Sequence, residues 1–387
     1  MKRFYFACVC FFVLAMGLMI NPNVTSAKTY KVSPKSKPCN GYNRSTYNKH
    51  TKNYYTIQSY LDKIASQKGG TLVLKKGTYR LSNTLYVSKN TKIILSNGVV
   101  LRKETKTGVK GMPASTTMFQ FVNKFKAIVK GAYGKHNGEK NISLIGKGKA
   151  VIDMNYAQKG NSAEIGIVMG HNKNVKIDNI TFKNMRLGHM IEMDACKNVK
   201  ITNCTFCGFK PSGYYNKEAI NLDTPDKKRD GFNSKWSKKD CTPNDTVLIQ
   251  NCRFDTLEAG IGTHQYTGNR YHKNVKITKC SFNRVQTAVR VLNWKKANIT
   301  YNTFTNCSPN WRYPYSFFIA GAKGLNFSYN QFSNCAKDDF VVQFWLERGY
   351  NANQYIYSAT TCDLTDSELE LMDTNDYDEN CGEICEY

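Results

Sequence analysis

The chain has 387 residues, and 55 Lys and Arg outweigh 29 Asp and Glu to give a net charge of +26. That length is more than one ordinary domain needs, although a repeating solenoid can reach it without a second core. The charge favours a polyanionic partner, and after the N-terminus no apolar run is long enough to cross a membrane.

Residues 1–27 read as a secretory signal: Lys2 and Arg3 precede an apolar stretch from Phe4 to Ile20, and Thr25-Ser26-Ala27 supplies small residues for cleavage. The expected product is a secreted chain that begins near Lys28. Residues 28–53 form a polar lead-in rich in Lys, Asn and Tyr. Over 54–66, Ile57, Leu61 and Ile64 recur at helical spacing until Gly69-Gly70 stops the run. Short strands separated by Gly, Asn and Lys follow from residue 70 onward, which predicts repetitive β architecture.

The repetition is explicit further on. NVKIDNITF at 174–182 returns as NVKITNCTF at 198–206, TVLIQNCRF at 246–254 and NVKITKCSF at 274–282, then more loosely as KANITYNTF at 296–304 and GLNFSYNQF at 324–332. One coil therefore takes roughly two dozen residues, and coils should stack at about 4.8 Å. Cys204, Cys252 and Cys280 share one slot with Ile180, Asn302 and Asn330, so they are expected as an interior column of thiols. Cys39, Cys362, Cys381 and Cys385 lie outside the phrases and are the better disulfide candidates.

IQSYLDKIASQKGG, TLVLKKGTYRL and TKIILSNGVVLR resemble the entry of the pectate-lyase-like right-handed parallel β-helix proteins, and NISLIGKGKAVID at 141–153 resembles their next rungs. This resemblance covers roughly residues 54–346. It implies an all-β, single-stranded right-handed parallel β-helix with an N-terminal capping helix at 54–66. Residues 347–387 would then be an acidic tail, either folded back on the basic body or a disordered end, since 363–387 holds ten acids and no Lys or Arg. Activity does not follow from this fold, which hosts lyases, hydrolases and adhesins.

Each phrase is trailed by a second alternating strand. With Ile191, Met193, Ile220, Leu222, Val289 and Val291 facing the core, Glu192, Asp194, Asn221, Asp223, His264 and Arg290 fall on the outer face. The file is expected to turn apolar at Ile319 and Gly321, then Val342 and Phe344. Asp194 and Asp223, one rung apart, would push one carboxyl's pKa upward or share a calcium ion with Glu192. Arg290 can neutralise a uronate carboxylate, and His264 can abstract a proton. Glu218 and Glu258 stand nearby, Trp294 and Trp311 offer rings for sugar stacking, and His171 and His189 read as turn histidines. The insertions at 103–116 and 225–245 would wall a groove over the file.

The leading expectation is a secreted, monomeric lyase that cleaves an acidic, uronate-containing polysaccharide by β-elimination. A second is a glycoside hydrolase using Asp194 and Asp223: Asn221-Leu222-Asp223, GIGTH at 260–264 and Arg290 resemble the polygalacturonase pattern of Asn-x-Asp, Gly-His-Gly and a later Arg. The paired Asp-Asp of that pattern is missing, and Gly-Thr-His stands for Gly-His-Gly. A third is a non-catalytic cell-surface or wall-polymer-binding protein. The expected partner is an acidic polysaccharide or anionic wall polymer rather than nucleic acid.

Overall fold

The computed structural model describes residues 28–39, 41–42, 44–156, 164–210, 217–228, 232–265, 267–309, 315–344 and 362–386. The signal at 1–27 and Trp311 lie outside them. Among the described residues, no helix is long and apolar enough to cross a membrane.

The expected fold is present: a right-handed parallel β-helix whose paired strands are parallel, in one ten-stranded sheet and one eighteen-stranded sheet. The repeated phrase supplies the ten-stranded sheet, with Val175, Val199, Val247 and Val275 in register and buried. Its Asn residues turn the corners. Asn174, Asn198 and Asn274, and then Asn179, Asn203 and Asn251, all have φ between 53° and 56°, a left-handed conformation that Asn tolerates better than most residues.

The interior is a set of ladders. Phe182, Phe206, Phe254, Phe282, Phe304 and Phe332 stack with centroids 4.5–5.1 Å apart, and Tyr377 continues the column at 4.8 Å. Each fully buried ring contributes about 1.5–3 kcal/mol relative to exposure. The neighbouring slot holds the expected thiols, and burial keeps Cys204 and Cys280 protonated by raising their pKa values. Asn302 then donates to Asn330 Oδ1 at 2.9 Å, and Asn330 donates to Asn375 Oδ1 at 2.8 Å. Stacked amides in register satisfy one another's buried polar groups.

Three expectations about the ends are corrected. Thr29–Val32 of the lead-in is a strand paired with Gly70–Leu74, so it belongs to the solenoid. Helix α1 runs Lys52–Ser66, two residues longer than expected, and buries Ile57, Leu61 and Ile64 over the first coil. The acidic segment is not a free tail. Asp376–Tyr377 pairs with Gln331–Ser333, Glu383–Glu386 pairs with Phe340–Phe344, and helix α2 (Asp366–Met372) starts with a Thr365–Glu368 capping box. Together they cover strand edges that would otherwise invite another chain.

The four proposed disulfide cysteines, Cys39, Cys362, Cys381 and Cys385, are all unbridged. Cys335 follows Phe332 by three residues and Cys381 follows Tyr377 by four, and the Gly382 N–H bonds to the Cys335 carbonyl, so Cys381 belongs to a stacked corner.

Candidate functional site

The strands Gly188–Asp194, Glu218–Asp223, Arg253–Gly262 and Ser281–Leu292 lie side by side in the eighteen-stranded sheet. Their register places Glu192, Asn221, Gly262 and Arg290 in one row, and Asp194 beside Asp223 in the next. The sequence reading anticipated both rows. On the later rungs it slipped by one residue: Phe318 and Gln343 continue the row of Arg290, and Ala320 follows Leu292, whereas Ile319, Val342 and Phe344 are in the core. The outer face still becomes apolar there, as a cluster of Leu292, Tyr315, Phe318 and Ala320.

Burial is the feature that the sequence did not reveal. Asp194 and Asp223 are 0% exposed and Glu218 1%, while Glu192 keeps 8% and the His264 side chain 18%. Asp223 is also committed to the backbone, since its Oδ1 accepts the N–H groups of His264 and Gln265 at 3.0 Å each. Both Asp194 oxygens and Asp223 Oδ2 are buried and have no hydrogen-bond partner among the described residues.

Glu218 is the hub of the site. Burial pushes its carboxyl up, but the Arg290 guanidinium, which donates to Oε1, and the neighbouring imidazoles hold it well below the usual carboxylate range. His264 Nδ1 lies 3.4 Å from both Glu218 Oε2 and Asp223 Oδ2. His189 was read as a turn histidine, yet it is buried here. It hydrogen-bonds through Nδ1 to the Glu218 carbonyl at 2.7 Å and stacks on His264 with ring centroids 5.5 Å apart. Burial and Lys217 lower its pKa to about 3, so it is a neutral ring that donates to that carbonyl. No alternating pattern marks His189, because it precedes the alternating run at the start of the strand Gly188–Asp194. His189, Glu218 and His264 bring ligand-type atoms within 4.8 Å of one another and so could hold a metal ion, although Glu218 is already neutralised by Arg290.

The other carboxyls move the opposite way. Burial and then Asp223 raise Glu192 to about 8, and burial followed by Glu192 and Asp223 raises Asp194 well above its ordinary value. Asp223 is also raised, chiefly by burial. A carboxyl whose folded pKa is raised contributes stability that is complete below its unfolded pKa and is lost as pH rises through the folded value. Stability should therefore fall as pH rises from about 4.5 to about 8, most clearly in the upper half of that range, where no buried imidazole opposes it. Thermal melts across that window should show the drop in the wild type and a flatter profile in Glu192→Gln. Below pH 6.5 the buried neutral His189 and His272, both lowered to about 3, work in the other direction.

One other expectation fails. Trp294 is fully buried, with its indole N–H donating to Thr263 Oγ1 at 2.9 Å, so it presents no ring to a sugar. His171 lies at a turn as expected, with a φ of 60°, and is buried there between the Lys135 carbonyl and Ser237. Glu258 is buried on the strand Arg253–Gly262.

Of the two insertions expected as groove walls, 225–245 packs beside the file, on Val168 and Gly170, which pair with Glu192 and Asp194. In 225–245, Phe232 and Trp236 fold back onto Val122 and Val168, and the Trp236 indole donates to Gln120 Oε1 at 3.2 Å. Gly170 makes room for them: a Cβ there would come within 2.7 Å of both rings. The insertion at 103–116 packs toward the N-terminal segment, where Asn48 Nδ2 donates to the Thr107 carbonyl at 2.9 Å.

The molecule is thus a right-handed parallel β-helix protein with a sunken acid–histidine–arginine cluster on one face. No protein-family model matches the chain. It is similar to plasmin and fibronectin-binding protein A of Streptococcus pneumoniae (strain ATCC BAA-255 / R6), with 26% identity over 273 residues, 64% of this chain and 36% of that protein. The chain therefore spans 36% of the length of that curated relative. Among solved structures it is similar to PfbA, a surface adhesin of Streptococcus pneumoniae, with a TM-score of 0.61 and 21% identity over 81% of this chain and 78% of that one. It is also similar to the family 28 exopolygalacturonase of Yersinia enterocolitica, with a TM-score of 0.50 and 12% identity over 83% of this chain and 71% of that one. These structural likenesses establish the fold.

Proposed function

We propose that this chain is a non-catalytic, extracellular surface protein that uses its β-helix to bind a macromolecular partner. The observation that carries this reading is the complete burial of Asp194 and Asp223. A polymer bond cannot reach carboxyls with no exposed surface, and Asp223 holds a turn in place. Arg290 would have to meet a substrate carboxylate in a lyase, but it meets Glu218 instead. The relative named for binding plasmin and fibronectin supports a host protein as partner, and the basic body keeps an acidic polysaccharide or wall polymer in view.

The test is binding of the secreted chain to immobilised plasmin, fibronectin and an anionic wall polymer. Affinity for at least one should survive the triple replacement Asp194→Asn, Asp223→Asn and His264→Ala in a variant that melts cooperatively. Loss of all binding in such a folded variant, or no binding by the wild type, would overturn the reading.

A hydrolase is the second reading, favoured by one specific feature. Glu192, raised to about 8 by burial and Asp223, is a carboxyl protonated at neutral pH, as a general acid must be. In that reading the oxygens of Asp194, Asp223 and Glu192 would be the set to hold calcium.

A further inference from the structure

The opposite character appears on the ten-stranded sheet. Its register aligns Lys140, Lys173, Lys197, Asp245, Lys273, Lys295 and Lys323 in a single row. A second row, three residues along each strand, holds Lys92, Ser143, Lys176, Lys200, Leu248 and Lys276. Between the rows, corner asparagines link rung to rung: Asn174 donates to Asn141 at 2.9 Å and Asn198 to Asn174 at 3.1 Å. A shallow groove of about 940 Å³ runs along this face, lined by Lys176, Lys200, Lys276 and Lys296 with Asn174 and Asn198.

Like charges directly opposite one another destabilise a sheet. At one rung, about 4.8 Å, they lie well inside the screening length of physiological salt, about 8 Å. Three of these lysines are relieved by a carboxylate: Lys197 by Asp245 at 2.7 Å, Lys176 by Asp178 at 3.5 Å and Lys323 by Asp363 at 3.0 Å. Lys92, Lys140, Lys173, Lys200, Lys273, Lys276 and Lys295 make no ion pair among the described residues, and all are exposed. The solenoid thus holds two straight rows of largely uncompensated cations on a rigid scaffold.

We infer that this face is a binding site for a linear acidic polysaccharide lying along the solenoid axis. Two rungs span about 9.6 Å, a step of the order of a two-sugar repeat, so carboxylates or sulfates on successive repeats would meet lysines on alternate rungs. The Asn amides between the rows offer hydrogen bonds to hydroxyls. At the C-terminal ends of the last strands of this sheet, the exposed Tyr301 and Tyr329 stack 5.2 Å apart. Duplex nucleic acid fits less well, because its phosphates wind around the axis and leave a straight row after a few contacts. The site is separate from the acid–histidine cluster. It deepens the surface-binding reading and rests on that reading only for the extracellular setting.

The experiment measures binding of the secreted chain to heparin, polygalacturonate and a duplex DNA of matched charge, over a range of salt concentrations. The quadruple variant Lys173→Gln, Lys200→Gln, Lys273→Gln and Lys276→Gln is compared with a control of equal net charge, Lys68→Gln, Lys106→Gln, Lys110→Gln and Lys337→Gln. The ladder variant should bind at least one of the two glycans tenfold or more weakly, with a shallower salt dependence, while the control stays within about twofold of wild type. Its melting temperature should match or exceed that of wild type, since repulsion has been removed. Which glycan binds more tightly separates sulfate from uronate recognition. Equal losses in the two variants, no glycan binding by the wild type, or tighter binding of DNA than of either glycan would overturn the inference. Plasmin or fibronectin binding that persists in the ladder variant would leave the surface-binding reading standing even then.

Discussion

Replacing Arg290 by alanine should cost about 3–5 kcal/mol of folding stability, the range for stripping one partner from a buried ion pair. Arg290 and Glu218 are 5% and 1% exposed, and the guanidinium is what holds the Glu218 carboxyl in its ionised form. Without it, a buried carboxylate keeps only His264, His189 and its own strand for company, so it must either take up a proton or let water in. Urea unfolding followed by far-UV circular dichroism should show a markedly lower midpoint for Arg290→Ala. The double variant Arg290→Met, Glu218→Met should recover much of that loss, because similar volumes without charge remove the desolvation cost on both sides. A loss below about 1 kcal/mol in the single variant would place the pair in an effectively wet site.

The second large effect concerns the C-terminal segment. A chain ending at residue 361 would lose the partners of Gln331–Ser333 and Phe340–Phe344 and would uncover Phe332 and Phe344. Asn330 would lose the Asn375 oxygen that accepts both its backbone N–H and its side-chain amide. An open parallel edge with an apolar end is a template for another chain. Light scattering after size exclusion should find the full-length chain monodisperse and the truncated one aggregated. The milder Asn375→Ala should remain folded and lose about 1–3 kcal/mol, the penalty for orphaning buried donors. Had the segment been the free acidic tail that its composition suggested, truncation would leave the melting temperature unchanged.

The fold was legible wherever a slot repeats. Phe, Val and Ile at fixed positions of the phrase place the core, the shared Cys/Asn slot announces an interior column, and the leading Asn marks a corner. What stayed hidden depends on geometry that the pattern does not encode. The last coil keeps Asn375, Tyr377 and Cys381 in their slots, embedded among acids, so its charge masked its membership. The later rungs slipped by one because Phe317-Phe318-Ile319-Ala320 is apolar on both faces and alternation gives no phase. Trp294 looked like a rim residue by its place after a strand, yet it opens the strand Trp294–Thr300 and points into the core. In the candidate site, alternation found Glu192, Asp194, Asn221, Asp223 and Arg290. It could not register that neighbouring elements bury the two aspartates, or that Glu218 and His189 complete the cluster from the starts of their strands.

The most direct test of the account asks whether the acid–histidine cluster turns anything over. The secreted chain would be incubated with polygalacturonate, alginate, glycosaminoglycans and carrageenan, with and without calcium. Both unsaturated ends, read by absorbance near 235 nm, and new reducing ends would be followed. The account predicts neither product, with wild type and Asp223→Asn indistinguishable. Steady product formation by the wild type that disappears in a folded Asp223→Asn would contradict it and return the cluster to catalysis.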